Sequence, residues 1–262
     1  MPGPVNQSAV SRIALKSIMH KEIHRFMRIW VQTLVPPAIT ISLYFVIFGE
    51  LIGSRIGKMG GYDYITFIVP GLIMMSVITN SYSNVASSFF SAKWQRNVEE
   101  MLVAPVPNWA IVAGYIGGGM TRGMLVGLIV TLISLLFVDL HIHNVWVIII
   151  TVCLTSAVFA LGGLINAIFA NSFDDISIIP TFILTPLTYL GGVFYSISLL
   201  PEFWQGVSQV NPIVYMVNAF RYGFLGISDV SLTAAFSVLI GFIVLLFTIA
   251  MTLISKGIGL RS

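Results

Sequence analysis

Six stretches of this chain are long and apolar enough to cross a bilayer, and nothing else in it restricts the fold as much. An α-helix rises about 1.5 Å per residue, so a hydrocarbon core of about 30 Å takes about 20 mostly apolar residues. The stretches cover residues 29–51, 64–89, 110–138, 145–170, 176–199 and 232–254. Each is continuously apolar instead of alternating, which excludes transmembrane strands. Of the 262 residues 57% are hydrophobic and 9% charged, too little charge for the surface of a soluble enzyme and too much apolar surface for a disordered chain. The expected fold class is an all-α integral membrane protein with six transmembrane helices, a single domain over residues 1–262. Polar and mixed sequence precedes the first stretch, so it is not a cleaved signal peptide. Pro36 and Pro37 interrupt it and should kink the helix or delay its start.

Orientation follows from the basic residues. With the N-terminus in the cytoplasm, nine lie inside (Arg12, Lys16, Lys21, Arg25, Arg28, Lys93, Arg96, Lys256, Arg261) and three outside (Arg55, Lys58, Arg221). That bias matches the rule that inner loops are basic, and six spans place both termini in the cytoplasm. The same residues are too dispersed for a nucleic-acid-binding face, so no nucleic-acid partner is expected.

Three segments outside the spans have a pattern of their own. Over residues 9–28 a helical wheel gathers Leu15, Ile18, Met19, Ile23 and Phe26 on one half and Lys21, His24, Arg25 and Arg28 on the other. That is the pattern of an interfacial helix on an anionic leaflet, either a plain anchor or a sensor of a cytoplasmic partner. Residues 93–102 predict about three turns of cytoplasmic helix, ended by Pro105 and Pro107. Mixed charges and the apolar residues Trp94, Val98, Met101 and Leu102 suit this helix to lie against another protein and pass a push into the spans it joins. The long outer segment 196–231 carries amphipathic pieces too polar to span, so it is expected to dip into the outer leaflet or lie on it. In its second piece Asn211 is placed to cap a helix whose first turn holds Pro212.

Catalytic and metal motifs are missing. Gly53 and Gly57 have three residues between them and Lys58 is followed by Met59, whereas a phosphate loop needs four between its glycines and Ser or Thr after the lysine. No ATP site, cofactor or metal is therefore expected in this chain. His20 and His24 share a helix face but lack a third ligand, and the lone Cys153 reads as a small hydrophobe. Asp174 and Asp175 read first as caps for the fifth span. Gly119, Gly123 and Gly127 recur every fourth residue of the third span, a stripe for close helix packing within the subunit or across a dimer. Arg122 sits near mid-depth, where insertion of a charge costs about 2.5–3.5 kcal/mol, so it must face protein or water. It is expected either to contact an anionic substrate or to bond helix carbonyls or Asn166 of the fourth span.

Taken together these features resemble the permease subunit of ABC type-2 exporters. Residues 96–106 are similar to that family's coupling-helix motif, with Glu99 at its Glu position and Pro105 at its Pro, although Asn97-Val98 stands where many members have Thr-Leu. Leu190-Gly-Gly-Val-Phe194, Leu200-Pro201, Trp204 and the run from Asn211-Pro212 to Arg221 resemble its fifth-span exit and outer segment. The resemblance implies a bacterial inner-membrane homodimer that pairs with a separate cassette ATPase, which would bind the ATP and magnesium. It also implies that coupling passes through the helix bearing Lys93, Arg96, Glu99, Glu100, Met101 and Leu102, through Pro105, through the N-terminal helix, and at the turn of Asp174 and Asp175. Other readings are an ion-coupled secondary transporter or channel, which would need ionisable groups or broken helices at mid-depth, and a membrane scaffold without transport. No acidic residue lies at mid-membrane, which weighs against proton coupling.

Overall fold

Apolar runs without breakers fold as long helices, and proline-rich ones fold as interrupted helices. The computed structural model describes residues 7–260, so Arg261 of the inner charge set lies outside the described residues. In chain order the helices are α1 (Gln7–Arg28), α2 (Trp30–Phe45), α3 (Gly53–Ile56), α4 (Tyr64–Trp94), α5 (Asn97–Val103), α6 (Asn108–Ser134), α7 (Val145–Phe169), α8 (Phe173–Ile179), α9 (Thr185–Tyr189), α10 (Glu202–Val210), α11 (Pro212–Leu225) and α12 (Leu232–Lys256). A π turn, Val46–Ile52, joins α2 to α3, and another, Pro180–Leu184, joins α8 to α9. Between α3 and α4 lies a small hairpin of β1 (Lys58–Met59) and β2 (Tyr62–Asp63), in which Met59 pairs with Tyr62 across Gly60-Gly61. Both glycines have positive φ, 58° and 87°, as a tight hairpin turn requires.

Among the described residues five helices are long and apolar enough to cross a membrane: Trp30–Gly49, Tyr64–Trp94, Asn108–Ser134, Val145–Phe169 and Leu232–Lys256. The expected span at 176–199 takes a different form. It begins earlier, at Phe173, and its helix ends at Tyr189, with the chain turning at Gly192 (φ 75°). The physical reason is proline: Pro180 and Pro186 each remove a backbone donor, and the first π turn residue is Pro180 itself. Pro36 and Pro37, by contrast, lie inside α2, which runs through both.

The axis of the bundle is α4, packed by α6, α7 and α11 and buried along nearly its whole length. Glycines set how closely α6 approaches its neighbours. A Cβ on Gly127 would lie 2.7 Å from Val77 Cγ2, and Cβ atoms on Gly119 and Gly123 would overlap Val85 and Ser81, so this stripe faces α4 of the same subunit. A second set, missed in the sequence, faces α1. A Cβ on Gly114 would fall 2.6 Å from Ile18 Cγ2, one on Gly117 3.1 Å from Met19 Sδ, and one on Gly118 against Glu22 Cβ. The N-terminal helix is thus seated on α6, with Glu22 and Phe26 fully buried. The helical wheel left this out because it treats a charged side chain as outward-facing.

At the opposite end of the bundle the segment after α9 folds back. Tyr62 donates to the Leu225 carbonyl at 2.7 Å and Tyr64 to that of Phe194 at 3.1 Å, tying the hairpin to this segment. Asn211 Oδ1 accepts from the Ile213 amide at 3.0 Å and Pro212 occupies the first turn, so α11 starts as its sequence predicts.

Candidate functional site

Four buried polar residues of α4 stand four apart: Ser76, Asn80, Asn84 and Ser88. That spacing puts them on one helix face over about 18 Å of rise. Each of the lower three takes a charged side chain from another helix. Ser88 donates to Glu22 Oε1 at 2.6 Å. Arg25 donates to both the backbone oxygen and Oδ1 of Asn84 at 2.9 Å, and its Nε lies 3.5 Å from Glu22 Oε2. Arg122 donates to Asn80 Oδ1 at 3.0 Å and approaches the Thr33 carbonyl at 3.5 Å. The seam therefore runs from the α1 dock to Arg122 midway along α6, and none of its α4 members stood out in the sequence. Their i, i+4 spacing within an apolar run was the available signal.

The structure does not join Arg122 to Asn166. Asn166, buried in α7, donates to the Ile176 carbonyl at 3.1 Å and so binds α7 to α8. The carbonyl that Arg122 does reach is one the sequence explains. In a regular helix the amide of residue 37 would bond that of Thr33, but Pro37 has no N–H, so Thr33 offers a free acceptor. Around Arg122 lies a cleft of about 310 Å³ lined by Gln32, Thr33, Thr40, Ser76, Thr79 and Ser83 among others.

The second area is the cytoplasmic-type face predicted at residues 93–102. Its helix is α5, Asn97–Val103, later and shorter than expected. Lys93 belongs to α4, and Arg96 adopts a left-handed conformation (φ 61°) that separates the two helices. Such a conformation costs about 1–2 kcal/mol in a residue with a side chain, so the corner is held by what surrounds it. Buried Val98 anchors α5, and Lys93 Nζ donates to the Ile168 and Ala170 carbonyls at 2.6 and 2.8 Å, closing the C-terminus of α7. Glu99, Glu100 and Pro105 are exposed, Met101 and Leu102 half-buried. Phe173 packs edge-on to Phe90 with centroids 4.9 Å apart, which brings the Asp174–Asp175 turn beside the C-terminal end of α4. Lys93, Arg96, Glu99, Asn171 and Leu260 are among the residues lining one 400 Å³ groove there.

Within that turn Ser172 Oγ accepts the Asp175 amide at 3.1 Å, while Asp175 Oδ2 accepts the amides of Asn171 and Ser172 at 2.8 and 3.1 Å. Capping was the expected reading of Asp174 and Asp175; the N-cap is Ser172, with Asp175 as the other half of a capping box. Asp174 is exposed.

The third area is the outer segment. Arg221 is fully buried in α11. It donates to the Gly192 carbonyl at 2.6 Å and its guanidinium lies 4.0 Å from the centre of the Phe67 ring. Asp229, which accepts from Ser196 Oγ and the Ile197 amide at 2.7 and 3.0 Å, lines a cavity of about 450 Å³ together with Arg221 and Lys58. Asn211 Nδ2 adds a bond to the Leu187 carbonyl at 2.7 Å. Arg221→Leu is expected to lower stability by about 2 kcal/mol, since it strands the buried Gly192 carbonyl and removes the guanidinium from the Phe67 ring. Arg221→Lys should recover only part, because an ammonium cannot lie flat on Phe67 and bond Gly192 at once. Thermal unfolding of the purified protein in detergent measures both.

No grouping of three or more His, Cys, Asp or Glu suited to a metal occurs among the described residues. The chemistry on display is polar contact between helices and an exposed acidic helix at one end.

Residues 13–225 match the family model of the ABC-2 type transporter. The chain is 66% identical over 251 residues to the inner membrane transport permease YadH of Escherichia coli K12, covering 95% of this chain and 98% of the relative. It is 23% identical over 215 residues to nodulation protein J of Rhizobium leguminosarum bv. viciae, covering 82% and 83% of the two chains. With nodulation protein J of Rhizobium meliloti it shares 26% over 189 residues, covering 70% and 71%.

Proposed function

The chain belongs to the ABC-2 type transporter family, and from that premise we propose that it is the membrane-spanning permease of an ATP-driven export system of the bacterial inner membrane. Two copies form the translocation pathway, and a separate cassette ATPase supplies ATP and magnesium. The observation that carries this reading is α5. It is a short helix fixed to the bundle by Val98, yet it turns Glu99 and Glu100 to solvent, with no hydrogen-bond or ion-pair partner for either carboxylate among the described residues. A helix held that firmly and exposed that fully is built to be pushed. Lys93 links the same corner to the end of α7, and Phe173 links it to the start of α8, so a displacement at α5 reaches three helices.

The broken helix over residues 173–189 serves as the fifth of six crossings, and the N-terminal helix α1 lies at the inner interface while docked on α6. Even crossing number puts both termini inside. Leu260, near the C-terminus, lines the groove shared with Lys93 and Arg96, which agrees with that orientation. Asp174 and Asp175, beside the C-terminal end of α4, extend the coupling face.

A pull-down of the tagged chain from mild detergent, followed by ATPase assay, tests the reading. A cassette ATPase in stoichiometric amount is the expected result. A preparation of this chain alone that carries flux without ATP would overturn it in favour of an ion-coupled transporter or channel.

A further inference from the structure

We infer that the cleft at Arg122 is a binding site for an anionic headgroup, a phosphate or carboxylate, of an amphipathic molecule. This deepens the export reading and rests on it only for the question of whether the occupant moves. Three observations converge on it.

The first is an unbalanced charge. Among the described residues no carboxylate lies within ion-pair distance of Arg122; the ion pair they contain is Arg25 with Glu22. Its protein partners are one amide oxygen and one carbonyl, and its buried Nε has no hydrogen-bond partner. Those two acceptors could be satisfied by a neutral amide at no charge cost. A guanidinium inside an apolar span is costly to insert, and bonding Asn80 and Thr33 does not explain why a cation is present. An anion in the cleft does, since a charge-assisted bond to guanidinium is about twice as strong as a neutral one.

The second is the lining. Beside the apolar Pro36, Pro37, Ile41 and Met75, the cleft is lined by Gln32, Thr40, Thr79 and Ser83, which bring amide and hydroxyl groups, and it contains no acid. Pro36 lacks the N–H that would hold the Gln32 carbonyl, so the backbone here is also open to solvent or ligand. The third is size and surroundings. A volume of 310 Å³ is about ten waters, enough for a hydrated headgroup and too small for a whole lipid. Along the same α2 helix, Ile39 and Leu43 are exposed, a surface on which an acyl chain can lie while its headgroup enters the cleft.

The test uses the full chain purified in mild detergent, with dioleoyl phosphatidylglycerol as the anionic probe and dioleoyl phosphatidylcholine as its control, and retention read by native mass spectrometry. Wild type should hold the anionic lipid in preference. Arg122→Gln should weaken that retention by roughly tenfold to a hundredfold. Asn80→Asp keeps the guanidinium but supplies it with a resident carboxylate, so it too should expel the probe; it also guards against misfolding of the first variant, since it adds the missing counter-charge. Equal retention of the anionic lipid by wild type and both variants would overturn the inference.

A second arm separates the sources. In proteoliposomes with the cassette ATPase, ATP-dependent movement of labelled phosphatidylglycerol between leaflets identifies the site with cargo. Retention without movement identifies it with a resident lipid, and the headgroup site stands in either case. Failure to recruit any ATPase would remove the export reading while leaving the binding result intact.

Discussion

Glu99→Arg, assayed with the partner ATPase, is expected to abolish ATP-driven export while leaving the amount of folded permease in the membrane unchanged. The permease itself has little to lose. Glu99 is exposed in the first turn of α5, Arg is about as good a helix former as Glu, and the less favourable charge at a helix N-terminus costs about 0.3–1 kcal/mol. Val98 still anchors the helix, and Lys93 still bonds Ile168 and Ala170. The partner has much to lose, because reversing a charge at a docked interface puts like charges together and costs about 2–5 kcal/mol, roughly thirtyfold to several thousandfold in affinity. Co-purification of the ATPase, ATP-dependent flux and membrane abundance by immunoblot are measured together. Export at the wild-type rate by this variant would remove α5 as the coupling element; loss of abundance would show instead that Glu99 is needed for folding.

Gly118→Leu is expected to undo the dock of the N-terminal helix and cost about 3 kcal/mol or more. A Cβ there would meet Glu22 Cβ and lie 3.0 Å from Glu22 Cγ, close to the backbone and not at a flexible tip. To admit it, α1 must lift away from α6. That lift would draw Glu22 from Ser88 and Arg25 from Asn84, leaving buried charge without partners. Gly241→Leu on α12 is the matched control, because nothing lies within 4 Å of a Cβ at that position. The first variant should lose thermal stability in detergent and expose α1 to limited proteolysis, and the second should do neither. If both behave as wild type, α1 is not held by this contact.

The pattern of apolar runs made most of the architecture legible. Five of the six stretches correspond to single long helices because a continuous apolar run in a bilayer has no other way to satisfy its backbone. The exception, at 173–189, carried its reason in plain view, since Pro180 and Pro186 sit inside it. Asn211 and Asp175 were readable as caps because capping depends on neighbours in sequence. Arg122 was readable as a costly charge, but its partner was not. Asn80 and Asn166 are equally plausible amides on paper, and only the rotation of α4 against α6 decides between them.

Glu22 shows the same divide more sharply. On its own helix it is one charge among several and reads as solvated. In the bundle it is fully buried, bonded to Ser88 and paired with Arg25. Sequence by itself determined which five segments form long apolar helices and where Asn211 starts one, because these follow from transfer free energy and local backbone chemistry. Tertiary structure alone decided the seam on α4, the α1 dock on Gly114 and Gly118, and the burial of Arg221. Each of those needs two helices at a particular rotation and separation, set by packing across residues far apart in the chain, and a single helix's periodicity does not encode its partner's angle.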